Sequence, residues 1–244
     1  MCVNCEMRGI ARRNFLSLGS VALGGLALTG AVAGGVRRAS AADGPTTTVT
    51  ADEALAKLKA GNEKYVQAPE VCAANLKAQR ESVAKVQTPW ATLLSCSDSR
   101  VPPELLFGGL GVGELFVTRN AGNTVDTSAM GTIEYGAAVL KIPLIVVLGH
   151  ERCGAVAAAC EIVEKDTKFP GSIGKMVEAI VPAARAVAKA PGDFVDNAVR
   201  ENARMVAAKL VSGSAIVGDL VKAGKVKIVA GRYDLDDGRV EYLA

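Results

Sequence analysis

Two short stretches carry the residues of this sequence best suited to chemistry: Cys-Ser-Asp-Ser-Arg at 96–100 and Gly-His-Glu-Arg-Cys-Gly at 149–154. Cys96, His150 and Cys153 combine thiolate with imidazole, borderline-soft ligands that select zinc over magnesium or calcium. His150 and Cys153 are spaced so that both side chains turn toward one point as the chain enters a helix, while Cys96 arrives on a separate loop. Three protein ligands leave a fourth position for water or substrate, which marks a catalytic zinc, since structural zinc is usually closed by four. A single buried histidine or cysteine is ordinarily a packed core residue. Here the joint placement points to a metal, and His150 is the only histidine in the chain. Asp98 and Arg100 add an acid and a base at the same place. Exposed, such a pair contributes little to stability; beside a dication, metal and guanidinium compete for the carboxylate.

Loops that hold a metal need rigid strands behind them, and the hydrophobic pattern provides these. Pro89 ends a helical stretch over 73–86, and the apolar run 90–94 reads as a buried strand with Cys96 just beyond it. After Pro143, residues 144–148 form an unbroken aliphatic run of the kind found in central parallel strands, closed by Gly149 and His150. Further strands are predicted at 114–118, 225–230 and 239–243, the last after the turn Asp236-Asp237-Gly238. Helices are predicted at 51–65, with Leu55, Leu58 and Tyr65 on the apolar side, from Ser128 through Leu140, and at 153–164, 173–190 and 194–210, the last capped by Asp193. The alternation predicts an α/β fold: a mostly parallel central sheet flanked by helices, with an N-terminal helical arm and a late antiparallel edge hairpin. In such sheets ligands bind beyond the carboxyl ends of the strands, where Cys96 and His150 fall.

The 244 residues suit one α/β domain plus extra segments, and 50% hydrophobic with only 4% aromatic residues fits a buried parallel sheet. Residues 1–41 carry five arginines against Glu6, a net of +4 within a chain total of +3, so the remainder stands at −1. That balance gives no electrostatic reason to expect nucleic acid as a partner. The basic start, the Gly- and Ala-rich apolar run 15–36 and the small residues Ala39-Ser40-Ala41 have the layout of a secretory signal, with cleavage near Ala41 or Ala42. Retention as a membrane anchor is the rival reading. Arg12-Arg13 followed by Asn14, Phe15 and Leu16 resembles the twin-arginine export signal, which implies an export machinery for the precursor and a periplasmic or extracellular mature protein. The expected division is a cleaved leader at 1–41, a linker at 42–50 and a catalytic domain at 51–244. Cys2 and Cys5 leave with the leader; Cys72 and Cys160 read as small buried hydrophobes, with a disulfide as the alternative.

Residues 95–102, Ser-Cys-Ser-Asp-Ser-Arg-Val-Pro, together with Gly149–Gly154 resemble the two signature stretches of the β-class carbonic anhydrases, and residues 113–120 resemble a third segment of that family. The likeness runs from about Ala51 to the C-terminus. It implies that Cys96, His150 and Cys153 bind zinc, that Asp98 and Arg100 form a gate dyad in which a freed Asp98 becomes the fourth ligand, and that Gln87 binds substrate. It implies reversible hydration of carbon dioxide to bicarbonate and a proton, with carbonyl sulfide or carbon disulfide hydrolysis, or non-catalytic zinc binding, as alternatives. It also implies a homodimer or an assembly of dimers, with the helices of 51–86 packing across the partner. The bicarbonate-inhibited subgroup carries Trp where this chain has Leu93, so the resemblance is to the constitutively open subgroup. Leu93 and Val101 are expected to line a dry pocket for the apolar substrate.

Overall fold

The computed structural model describes residues 45–68 and 76–243. The leader, Cys2, Cys5 and Cys72 lie outside the described residues. Among those described, no helix is long and apolar enough to cross a membrane.

Thr50 opens α1 (Ala51–Gln67) with a reciprocal cap: its hydroxyl accepts from the Glu53 amide, and the Glu53 carboxylate accepts from the Thr50 amide. Ala54, Leu58 and Asn62, four residues apart, form its buried face. Leu58 is fully buried, which stabilises by about 2 kcal/mol. That face lies on the chain's own sheet, in one cluster with Trp90, Leu93, Leu144 and Leu148. The need to cover an apolar face, which suggested packing across a partner, is met for α1 within the same chain. Asn62 locks it there, donating to the carbonyls of Leu106 and Gly238 and accepting from the Val240 amide.

α2 (Leu76–Val83) precedes β1 (Ala91–Cys96), α3 (Pro103–Leu106), β2 (Leu115–Asn120), α4 (Thr127–Glu134, continued by a π-helical turn to Val139) and β3 (Leu144–His150). The chain continues through α5 (Gly154–Lys165), α6 (Gly171–Glu178), α7 (Val181–Val187), α8 (Phe194–Gly213), α9 (Ala215–Lys222), β4 (Lys227–Tyr233) and β5 (Val240–Leu243). The sheet order is β2-β1-β3-β4-β5, parallel except for the β4–β5 pair. β1 and β3 are buried at every residue. One face of the sheet packs on α1 and α3; on the other, Leu94, Ile145 and Val147 meet residues of α4, α8 and α9.

From β1 the chain passes to β2 on one side, while β3 lies on the other. The crevice at the carboxyl ends of β1 and β3 is thus the topological switch point, where open α/β sheets bind ligands.

The helix expected over 173–190 is broken in two, because Pro182 in the first turn of α7 has no amide to continue α6. Asp126, two residues before the expected cap Ser128, caps α4 by accepting from Ala129. α3 and α9 were not anticipated, and strands β1, β2, β3 and β4 each run two or three residues further than their hydrophobic runs.

Candidate metal centre

Cys96 is the last residue of β1 and His150 the last of β3, and Ser95 lies opposite Leu148 in the parallel register. Cys153 caps α5 three residues later. Their ligand atoms lie within 4.8 Å of one another, and all three residues are buried. The two sulfurs are 3.9 Å apart. A zinc ion about 2.3 Å from each sulfur at the tetrahedral angle would set them about 3.8 Å apart.

The histidine is prepared as a ligand. His150 Nδ1 bonds the Glu151 carbonyl at 2.8 Å, which requires the proton on Nδ1 and leaves a lone pair on Nε2. Among the described residues, the buried Nε2 has no hydrogen-bond partner. A buried imidazole nitrogen without a partner is costly unless something occupies the space in front of it.

The two thiols differ. A hydrogen bond from Cys153 brings the Cys96 thiol down to about 4, against the opposing effect of burial and with help from the amides of Gly122 and Asp98. Cys153 is pushed up, first by donating to Cys96 and then by burial and the charge on Cys96; the amides of Val156 and Ala155 at the start of α5 partly offset this. Two buried thiolates side by side need a cation, and a dication between them supplies it.

Asp98 stands at the rim. Its Oδ1 accepts from the Arg100 amide and Nε, and its Oδ2 from Nη2, while Oδ2 lies 3.8 Å from His150 Nε2. Those hydrogen bonds hold its carboxyl well below the usual carboxylate range. The structure thus brings Cys96, Asp98, Arg100, His150 and Cys153 together. Gln87 is not among them: it is exposed, it precedes the start of β1 while Cys96 ends that strand, and none of the hydrogen bonds among the described residues joins it to the site. Leu93 and Val101 do not line the site either. Alternation along β1 turns Leu93 to the α1 face, opposite to Cys96, and both residues belong to the core beneath α1.

Three supporting residues had no individual role in the sequence reading. Arg119, on β2, donates to the carbonyls of Cys96 and Asp98 and so fixes the loop between ligand and acid. The Gly122 amide donates to Cys96 Sγ at 3.3 Å. Gly122 has φ +75°, a conformation that favours glycine, and a Cβ there would stand 2.5 Å from Ile180 Cδ1, which would have to move. Its carbonyl is held by Asn202 of α8. The polar turn at 119–123 was visible in the sequence; its direction toward a sulfur was not.

A carbonic anhydrase family model matches residues 91–240. A carbonic anhydrase of Mycolicibacterium smegmatis is 37% identical over 184 residues, covering 75% of this chain and 89% of that protein. Among solved structures, a β-carbonic anhydrase of Coccomyxa in complex with acetazolamide is 30% identical with a TM-score of 0.63, covering 78% of this chain and 86% of that one. Tetrameric β-carbonic anhydrases of Sordaria macrospora share the fold at 24% identity and a TM-score of 0.61, covering 79% of this chain and 96% of that one.

Proposed function

Because this chain belongs to the β class of the carbonic anhydrase family and is thereby a zinc lyase that reversibly hydrates carbon dioxide to bicarbonate and a proton, we propose that Cys96, His150 and Cys153 hold the zinc and that Asp98, aligned by Arg100, serves the reaction at the remaining position. The observation that carries this reading is the buried Nε2 of His150, without a hydrogen-bond partner among the described residues and grouped with two thiols.

Bound zinc supplies Lewis-acid activation of water for attack on the substrate carbon. The residues around it orient and exclude. Glu151, through its carbonyl, keeps the His150 proton on Nδ1. Gly122 and the start of α5 direct amides at the sulfurs. Asp98, whose Oδ2 lies 3.8 Å from His150 Nε2, would accept the hydrogen bond of the attacking water and aim its lone pair at carbon; Arg100 keeps that oxygen ionised and in place. With Arg100 released, Asp98 would be the carboxylate placed to close the site.

Each turnover releases a proton, and the chain's only histidine is assigned to the metal. Transfer must then run through water, a carboxylate or tyrosine near the mouth, or buffer, because no second imidazole is available to match neutral pH. Turnover in stopped-flow hydration is expected to rise with added imidazole-type buffer at constant ionic strength, while the substrate-limited second-order rate changes much less. A high turnover independent of buffer would count against this assignment of His150.

We further propose an exported homodimer or assembly of dimers. The twin-arginine-like leader supports export; the edge strand β2, with Leu115, Phe116 and Val117 half-buried in the single chain, supports association. The exported protein should begin near Ala42 and scatter light with at least twice the chain mass; an intact leader or a fully active monomer would refute the respective half.

A further inference from the structure

The loop between the two later ligands is shaped from outside. Arg152, between His150 and Cys153, has φ +52°, a left-handed conformation unfavourable for a side chain of this type. Its guanidinium grips both oxygens of Asp236, at 2.9 and 2.6 Å, in the turn between β4 and β5. Glu151 is fastened to the same region at several points. Its amide donates to the Tyr233 carbonyl at 2.9 Å. Its carboxylate accepts from the Leu235 amide at 3.1 Å and lies 3.5 Å from Arg232.

The turn itself is braced. Asp234 accepts from the amides of Asp236 and Asp237 and from Arg232, whose Nε also reaches Asp196 on α8. Glu151, Asp234 and Asp236 converge within 4.8 Å, but Arg152 and Arg232 occupy their carboxylates, so the cluster serves as a clamp of ion pairs.

We infer that the turn 234–236 acts as a docking plate that presets the zinc loop, with Glu151 and Arg152 as positioning residues for His150 and Cys153. The connection to the metal is direct: the Glu151 carbonyl, whose place is set by these anchors, is the acceptor that fixes the His150 ring and its tautomer. The inference rests on the zinc assignment above.

Arg152→Gly separates anchoring from backbone strain, since glycine adopts the left-handed turn freely but cannot reach Asp236. Asp236→Ala removes the other end of the same contact at a side chain 71% exposed. In each variant, the zinc dissociation constant measured by chelator competition should rise about tenfold, the low end for lost outer partners of metal ligands. The visible spectrum of the cobalt-substituted protein should shift as well. The double variant should be no worse than either single one, because both remove one contact. A merely structural clamp would lower the melting temperature and leave zinc affinity and cobalt spectrum untouched; that result overturns the inference while the zinc assignment stands. Release of zinc from the unaltered protein as readily as from His150→Ala overturns the assignment and the inference together.

Discussion

His150→Ala is expected to strip the protein of zinc and, with it, of nearly all carbon dioxide hydration, a loss on the order of a thousandfold or more in kcat/KM, as expected when the metal's activation of water is removed. The substitution leaves two sulfurs 3.9 Å apart in a buried site. Ionising both without a third ligand is unfavourable, because Cys153 already ionises reluctantly beside Cys96. Two remaining ligands hold zinc poorly, and metal affinity falls with the protonation of its thiolates. The fold should survive, since the alanine opens only one cavity at the end of β3. Metal analysis after dialysis, run beside circular dichroism, separates loss of metal from loss of structure. Full zinc occupancy in a folded His150→Ala protein would falsify the ligand assignment.

Asp98→Asn should keep its zinc and still lose about a hundredfold or more of its activity, the scale of a misplaced proton acceptor. The amide is nearly the same shape but presents a donor on one side and has no charge for Arg100, which now makes two side-chain hydrogen bonds to the carboxylate. The group that should accept from the attacking water can then donate to it. The pH behaviour follows from the Arg100 bonds. Asp98 has its folded pKa lowered, so its ionised role is present above the ordinary carboxylate pKa and is lost only as pH falls through the lowered value. Protonation of Asp98 while paired to Arg100 should therefore not set the activity limb near neutrality. Arg100→Ala removes the largest cause of that shift and frees Asp98 to swing toward the metal, so its activity should fall with zinc retained. If Asp98→Asn hydrates carbon dioxide at the unaltered rate with full zinc, Asp98 has no part in the chemistry.

The ligands were legible because they occur at motif spacing and at the ends of apolar runs. Residues 144–148 announced β3, and the only histidine followed at once. Other features were hidden for physical reasons. Leu93 looked available to line the substrate space, but strand alternation turns it to the far face of the sheet from Cys96. Gln87 was matched to a family glutamine, and within the single chain a strand's length separates the end it precedes from the end that carries the thiol. The contact between Arg152 and Asp236 spans 84 residues, and nothing local to either signals the other. The cover for the Ala54–Leu58 face of α1 was hidden because an amphipathic pattern states that a face must be buried without stating against what; within the chain Asn62 holds that face to the sheet by binding three backbone groups.

His150 is the only histidine in the chain, and it is fully buried at the carboxyl end of β3. One consequence concerns observation rather than catalysis. Isotope labelling of histidine alone would place a single imidazole in the nitrogen spectrum of the protein, with no surface ring to overlap it. The Nδ1 proton, bonded to the Glu151 carbonyl, is shielded from solvent exchange, and Nε2 would report directly on what it binds. The native sequence thus carries a built-in reporter at its reaction centre. A histidine purification tag would obscure that reporter and add competing metal ligands, so such a tag should be removed before any zinc titration.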